Sequence, residues 1–216
     1  MYQSNETLIN EFDRLFYHSE TWGSGHTKWM GVDAWKYPTD LIMYQMLIHE
    51  TRPDLIIECG TGHGGSALFF AHMLDLIEQE MGMVVTIDPF NPGHRPTHSR
   101  IRYLGGSSLD PEIVDIVKSY IGAGERVMVV LDSDHNCEHV LKEMEIYGQF
   151  VTPGCYMIVE DGNLDSLGLI ECGPSIAIRR FLEDHPEFMV HVYCERYLLT
   201  ANPNGYLRRL NDHIRD

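Results

Sequence analysis

Between Asp54 and Ser66 the chain passes from a strand-like run, Leu55-Ile-Ile-Glu58-Cys59, through glycines at 60, 62 and 64 into a helical pattern beginning at Gly65 and Ser66. Few arrangements accommodate that order. Glycines at 60, 62 and 64 allow positive φ and close approach of the backbone to a ligand, while the helix that follows offers unpaired N–H groups at its start. Glu58 near the end of the first run and Asp88 at the end of the next suit ribose hydroxyls better than phosphates. Glu58, Gly60, Thr61, Gly62, Gly64, Ser66 and Asp88 therefore read as a cradle for an adenosyl cofactor. The turn does not spell GxGxxG in the dinucleotide register, and by itself it would equally serve close packing of helix on strand.

From Leu55 onward, short apolar runs alternate with helical patterns, which predicts a parallel sheet covered on both faces. Strands are expected at 55–59, 84–88, 101–104, 127–131 and 155–159, each ending in a turn rich in Gly, Asp, Pro or Ser. Ligands in such sheets sit beyond the carboxyl ends of the strands, so Glu58, Asp88, Asp132 and Glu160 should gather along one rim. Further on, a helix is expected around Ser175–Asp184, followed by two late strands, Phe188–Tyr193 and Tyr197–Thr200, with Asn202–Gly205 as a turn. These would form a closing antiparallel hairpin.

Upstream, Leu8, Ile9, Phe12, Leu15 and Phe16 recur at helical spacing, and a second helix is signalled at Pro38–Asp40, running to about Thr51. The segment from Trp22 to Pro38 is rich in aromatics and glycine and reads as an ordered loop, a candidate lid. Trp22, Trp29, Trp35 and Tyr37 either line an acceptor pocket or pack the N-terminal helices onto the sheet. The organisation expected is a helical cap with a lid segment over residues 1–50 and a cofactor-binding domain over 51–216.

A formal charge of −16, with no cluster of basic residues, argues against nucleic acid as a partner. No apolar run approaches the roughly 18 residues of a membrane span, and the N-terminus carries no signal-peptide pattern, so a cytoplasmic protein is expected. Cys59, Cys137, Cys155, Cys172 and Cys194 contain no CxxC pair and read as reduced core residues. Symmetric self-association is open to the aromatic N-terminal segment.

The second chemical constellation is Asp132-Ser133-Asp134-His135 together with Glu160-Asp161. Carboxylates at adjacent strand ends repel unless protons or a cation intervene, and hard oxygen donors suit Mg²⁺, Mn²⁺ or Ca²⁺. Asp132, Asp134, Glu160 and Asp161 are the candidate ligands. His135 is the best placed of the nearby histidines, which include His63 and His139, to accept a proton from an acidified hydroxyl. Ser107 and Ser108 can hydrogen-bond an adenine edge or cap the helix beginning near Pro111.

Five blocks in order carry a resemblance: Gly31 to Asp40, Arg52 to Leu68, Leu131 to His135, Val159 to Asp161 and Leu199 to Leu207. Over roughly residues 28–212 the chain resembles the cephalosporin hydroxylase family, class I S-adenosylmethionine-dependent methyltransferases that include rhamnosyl O-methyltransferases. The resemblance implies a doubly wound α/β fold with a mainly parallel seven-stranded sheet and a C-terminal antiparallel hairpin. It places Glu58, Gly60 and Ser66 around the methionyl part, Asp88 at the ribose, and Ser107 or Ser108 at the adenine. It implies a Mg²⁺ or other divalent ion on Glu160, Asp161 and one of Asp132 and Asp134, with Asp134 favoured by the family's own pattern. Catechol O-methyltransferases, whose metal site is similar, place a lysine base after the metal aspartate. Asn136 and Cys137 stand there instead, leaving His135 as base. The activity expected is O-methylation of a small hydroxylated acceptor, a sugar or another natural product. The rivals are a nicotinamide-dependent oxidoreductase on a related sheet, which leaves Glu160 and Asp161 unexplained, and a silent cofactor-binding partner subunit.

Overall fold

The computed structural model describes residues 3–23 and 27–211. Along the chain run α1 (Gln3–Tyr17), α2 (Glu20–Gly23), β1 (Lys28–Trp29), β2 (Val32–Asp33), α3 (Pro38–Thr51), β3 (Leu55–Cys59), α4 (Gly65–Leu76), β4 (Met83–Asp88), β5 (Ile101–Gly105) and α5 (Pro111–Ser119). They are followed by β6 (Val127–Leu131), α6 (Cys137–Gly148), β7 (Tyr156–Val159), α7 (Asn163–Leu167), α8 (Pro174–Asp184), β8 (Phe188–Val190) and β9 (Tyr206–Arg209). Residues 24–26 of the candidate lid, and the last five residues, lie outside the described residues.

Seven strands form one sheet in the order β5-β4-β3-β6-β7-β9-β8, parallel except for β9, which is antiparallel to both β7 and β8. This is the class I methyltransferase architecture that the resemblance implies. The alternation of side chains divides the core cleanly. Leu55, Ile57, Val85, Val127, Val129 and Leu131 face α5, α6 and α8, whereas Ile56, Val84, Met128, Val130 and Ile158 face α3 and α4. Nearly all of these are within 1% of full burial, which is why the runs read as continuously apolar.

Three differences from the sequence reading have physical causes. The last strand is Tyr206–Arg209, not Tyr197–Thr200. Its Tyr206 and Leu207 are buried in register with Ile158 and Met157, whereas Tyr197 and Leu198 are exposed and follow a short 3₁₀ turn, Val192–Glu195. Asn202–Gly205 therefore leads into the last strand instead of leaving it. Cys137 and Cys172, read as reduced, form a disulfide with Cα atoms 5.2 Å apart, while Cys59, Cys155 and Cys194 are free and buried. Packing of α6 on α8 brings together two cysteines 35 residues apart, a contact no local spacing records. Finally, the expected loop contains an antiparallel ribbon, β1 with β2, anchored by Trp29, whose ring meets Phe69 edge-on at 4.9 Å. A side chain at Gly65 would collide with the ribbon, because a Cβ there lies 2.3 Å from the Asp33 carbonyl oxygen. Glycine lets helix and ribbon touch.

Candidate functional site

Register decides what the rim contains. Cys59 pairs with both Ile87 and Leu131, and Leu131 pairs with Val159, so the residues that follow Cys59, Ile87, Leu131 and Val159 emerge side by side at the ends of β3, β4, β6 and β7. Gly60, Asp88, Asp132 and Glu160 are those residues. Adjacent strands are about 4.8 Å apart, so acidic side chains at successive strand ends are brought close by the sheet itself.

A cavity of about 460 Å³ opens over this edge, lined by Gly60, Thr61, Gly62, Ser66, Asp88, Ser107, Ser108, Asp132 and Asp134, among others. That size is ordinary for a small-molecule site. Its floor depends on Gly60, whose φ is +96°: a Cβ would lie 1.7 Å from the Asp132 carbonyl oxygen. The Asp88 carboxylate accepts from the N–H groups of Thr61 (3.0 Å) and Gly62 (2.8 Å), tying the glycine turn to the end of β4. Of the expected cofactor residues, Glu58 and Gly64 do not line the cavity. Glu58 is fully buried beneath it and accepts from Thr86 Oγ1 at 2.5 Å. Burial pushes its carboxyl up to about 7, against Lys36, Ser66 and Thr86, which favour the ionised form. Gly64 ends the turn before α4 at φ +85°. The Ser107 hydroxyl accepts the Leu109 N–H, and Ser108 is buried with its hydroxyl 3.4 Å from His139.

Beside the cavity lies the acidic cluster. Asp132, His135 and Asp161 each place one ligand atom within 4.8 Å of the others, with His135 Nε2 3.4 Å from Asp161 Oδ2. Asp134 is exposed and outside this group; its carboxylate accepts the Asn136 N–H at 2.7 Å, a local turn that opens α6. Glu160 also stands apart, turned toward a residue the sequence reading did not single out. Lys36, only 2% exposed, donates to Asp132 Oδ2 and lies 2.9 Å from Glu160 Oε2; the Tyr44 hydroxyl donates to Glu160 Oε1 at 2.5 Å.

The electrostatics follow from that crowding. Burial works against the Lys36 charge, but Asp132, Glu160 and Glu58 together hold its ammonium well above the ordinary range. Burial, and then the Asp132 charge, raise Glu160 well above the usual carboxylate range and Asp161 to about 6. Asp132, Glu160 and Asp161 thus share one buried ammonium, and the surplus negative charge suits a divalent cation. Asp161 stands at φ +57°, a conformation few non-glycine residues adopt, and its N–H is held by the Asn202 side chain at 3.2 Å.

The N-terminal segments close over this edge. Buried Asp13 of α1 accepts from the Tyr37 hydroxyl (2.8 Å) and the Asn163 amide (3.2 Å), joining the cap to the residues just after Asp161. Trp35, 44% exposed, lines the cavity with Asp33, Ala34 and His63. His139 and Ser133 also line it and are linked to the buried Glu143. Nothing local, between Trp35 and Tyr37-Pro38, marks Lys36 as buried, because lysine is ordinarily a surface residue.

Comparison with known proteins adds a family. The model of the rhamnosyl O-methyltransferase/CmcI family matches residues 6–210. A rhamnosyl O-methyltransferase of Mycobacterium bovis (strain BCG / Pasteur 1173P2) is 31% identical over 96% of this chain and 87% of its own. The Mycobacterium leprae (strain TN) protein of that name is 30% identical over 97% and 93%. Among solved structures, cmcI-D160 Mg-SAM superposes with a TM-score of 0.68 at 19% identity, covering 87% of this chain and 78% of that one.

Proposed function

This chain belongs to the rhamnosyl O-methyltransferase/CmcI family, and from that premise we propose that it transfers a methyl group from S-adenosylmethionine to a hydroxyl of a sugar or sugar-bearing natural product, assisted by a divalent ion. The observation that carries the reading is the juxtaposition, along one sheet edge, of the glycine-floored cavity and the acidic cluster. When bound, the cofactor supplies an electrophilic methyl group on a sulfonium, and Mg²⁺ supplies a Lewis acid that acidifies the acceptor hydroxyl.

In this reading the cavity over Gly60 to Gly62 takes the cofactor, with the Asp88 carboxylate at the ribose and the Ser107–Ser108 turn at the adenine. Glu58, buried below the turn, fixes Thr86 and Ser66 and so shapes the cradle from beneath. Asp132 and Asp161 hold the ion, and Glu160 joins them from its place beside Lys36. His135 accepts the hydroxyl proton, its ring oriented by Asp161, whose Oδ2 lies 3.4 Å from Nε2. Trp35 offers an apolar face to the acceptor at the cavity rim. Most of the rate gain then comes from alignment and charge stabilisation, with the base adding its share. No helix among the described residues is long and apolar enough to cross a membrane. The enzyme acts in the cytoplasm in this reading.

The test is calorimetric titration of EDTA-stripped protein with S-adenosylhomocysteine, with NAD⁺ as control, followed by methyl transfer from labelled S-adenosylmethionine to a panel of rhamnosides and other glycosides with and without Mg²⁺. Binding of the nucleoside but not NAD⁺, with Mg²⁺-stimulated labelling of a glycoside, is expected. Binding of NAD⁺ instead, or nucleoside binding with no transfer to any acceptor, would favour the oxidoreductase or the silent-subunit rival and overturn the proposal.

A further inference from the structure

We infer that Lys36 is the resident counter-cation of the metal cradle, holding its carboxylates together before the ion arrives and opposing the ion's binding. The inference rests on the metal-assisted reading above and concerns a residue that reading leaves without a role. Lys36 comes from outside the sheet, on the segment joining β2 to α3. Trp35 at φ +49° turns the backbone immediately before it, and Pro38 at the start of α3 fixes the backbone two residues later. Its ammonium reaches two strand ends at once, contacting Asp132 Oδ2 and standing 2.9 Å from Glu160 Oε2. With Tyr44 on Glu160 Oε1, both oxygens of Glu160 are engaged and one of Asp132 is.

The charge count gives the direction. Asp132, Glu160 and Asp161 bring three negative charges when ionised, and Lys36 returns one. A dication entering the cluster meets a net charge of about −2 with the ammonium present and about −3 without it. Both cations draw on Asp132 and Glu160, and they repel each other across a buried space in which screening by salt is weak. Lys36 therefore lowers the ion's affinity while making the empty cradle stable. It also fastens the segment around Trp35 to the cofactor edge, so the acceptor side of the cavity is built before the ion binds.

The experiment is a thermodynamic cycle between Lys36 and Mg²⁺ on the full-length, EDTA-stripped protein, with Lys36→Met and Lys36→Arg compared to wild type by calorimetry and thermal unfolding. Lys36→Met is expected to melt lower than wild type in EDTA, to recover most of that loss in millimolar Mg²⁺, and to bind Mg²⁺ at least about tenfold more tightly. Lys36→Arg, which keeps the charge, should stay within about threefold of wild-type affinity. A purely structural lysine would lower the melting temperature equally with and without the ion and leave the affinity unchanged or weaker, and that outcome overturns the inference. So does a Lys36→Met protein that remains unfolded at saturating Mg²⁺, because the ion then cannot replace the ammonium. If wild type itself binds no divalent ion, the failure belongs to the metal-assisted reading, and Lys36 is left as a simple ion-pair partner.

Discussion

Replacing Asp40 with asparagine tests how the fold presents Asp161. Asp40 lies in the first turn of α3, 2% exposed, and its carboxylate accepts from Thr200 Oγ1 (2.6 Å), the Ala201 N–H (2.9 Å) and the Tyr206 hydroxyl (2.8 Å). Those bonds pin the loop that carries Asn202, whose side chain holds the Asp161 N–H. Burial raises the Asp40 carboxyl from its ordinary 3.8 to about 6, against these three donors and Lys36, which pull it down. A folded-state value above the unfolded one means that stability is fully present below pH 3.8 and is lost as the pH rises to about 6. At 1.36 kcal/mol per pH unit, the loss attributable to this group is roughly 3 kcal/mol.

Asparagine cannot ionise, so the variant escapes that loss. Its amide offers one acceptor oxygen where two are used, and the NH₂ group placed toward Ala201 leaves a buried N–H unpaired at a cost of about 1–3 kcal/mol. Near pH 4 Asp40→Asn should therefore be less stable than wild type by that amount. By about pH 7.5 the two should be nearly equal, the difference having moved by roughly 3 kcal/mol in favour of the variant. Urea unfolding at several pH values measures it, and taking the difference between the proteins cancels the titration of Glu58 and Asp161. Parallel stability curves, or a difference moving the other way, would falsify the claim that Asp40 is ionised at a cost in the native state.

Gly60→Ala should abolish nucleoside binding by calorimetry, since its Cβ would overlap the Asp132 carbonyl and its φ is +96°. Unaltered S-adenosylhomocysteine affinity in a folded variant would mean the cavity floor has been misplaced. His135→Gln is expected to lower kcat by about 10²–10⁴ with nucleoside affinity unchanged; a kcat within about threefold of wild type would remove His135 from proton transfer. Thiol titration of the denatured, unreduced protein should find the three free cysteines, rising to all five after reduction. Reduction should also cost about 4 kcal/mol of stability, from closure of a loop of 35 residues, so an unchanged midpoint in reductant would refute that magnitude.

The parallel strands β3, β4, β6 and β7 were legible because each is buried on both faces and ends at a glycine or an acid, so composition and boundary agree. Tyr206–Arg209 was not, since two of its four residues are arginines and only its pairing with β7 on one side and β8 on the other shows it to be a strand. Asp132 and Asp134 could not be separated by spacing, because alternation would put both on one face of a strand, whereas β6 ends at Leu131 and Asp134 Oδ1 accepts the Asn136 N–H while the residue still lines the cavity. Lys36 was hidden for the opposite reason: lysine is ordinarily a surface residue, and only the three-dimensional crowding of acids shows why one is buried here.

That lysine bears on where the chain divides. A boundary at residue 51 follows the change from aromatic-rich cap to alternating strands, and it would leave Asp132, Glu160 and Asp161 together on the fragment 51–216. It would also remove Lys36 and Tyr44, the partners of Glu160, and Met43, Leu47 and Ile48, which cover Ile56, Phe70 and Ile158 on one face of the sheet. Breaking a buried ion pair from one side costs about 3–5 kcal/mol, and uncovering several core side chains costs about 1.5–3 kcal/mol each. For Ile56, Phe70 and Ile158 together with the ion pair this comes to about 8–14 kcal/mol, comparable with the roughly 5–15 kcal/mol that holds a domain folded. Expressed alone, the fragment should lack near-UV circular dichroism and bind no S-adenosylhomocysteine, whereas a chain beginning at Thr27, which keeps Lys36 and α3, should retain both. A fragment 51–216 that folds and binds the nucleoside would show that the acids tolerate one another without their lysine, and that the cap is an accessory to the sheet instead of part of its core.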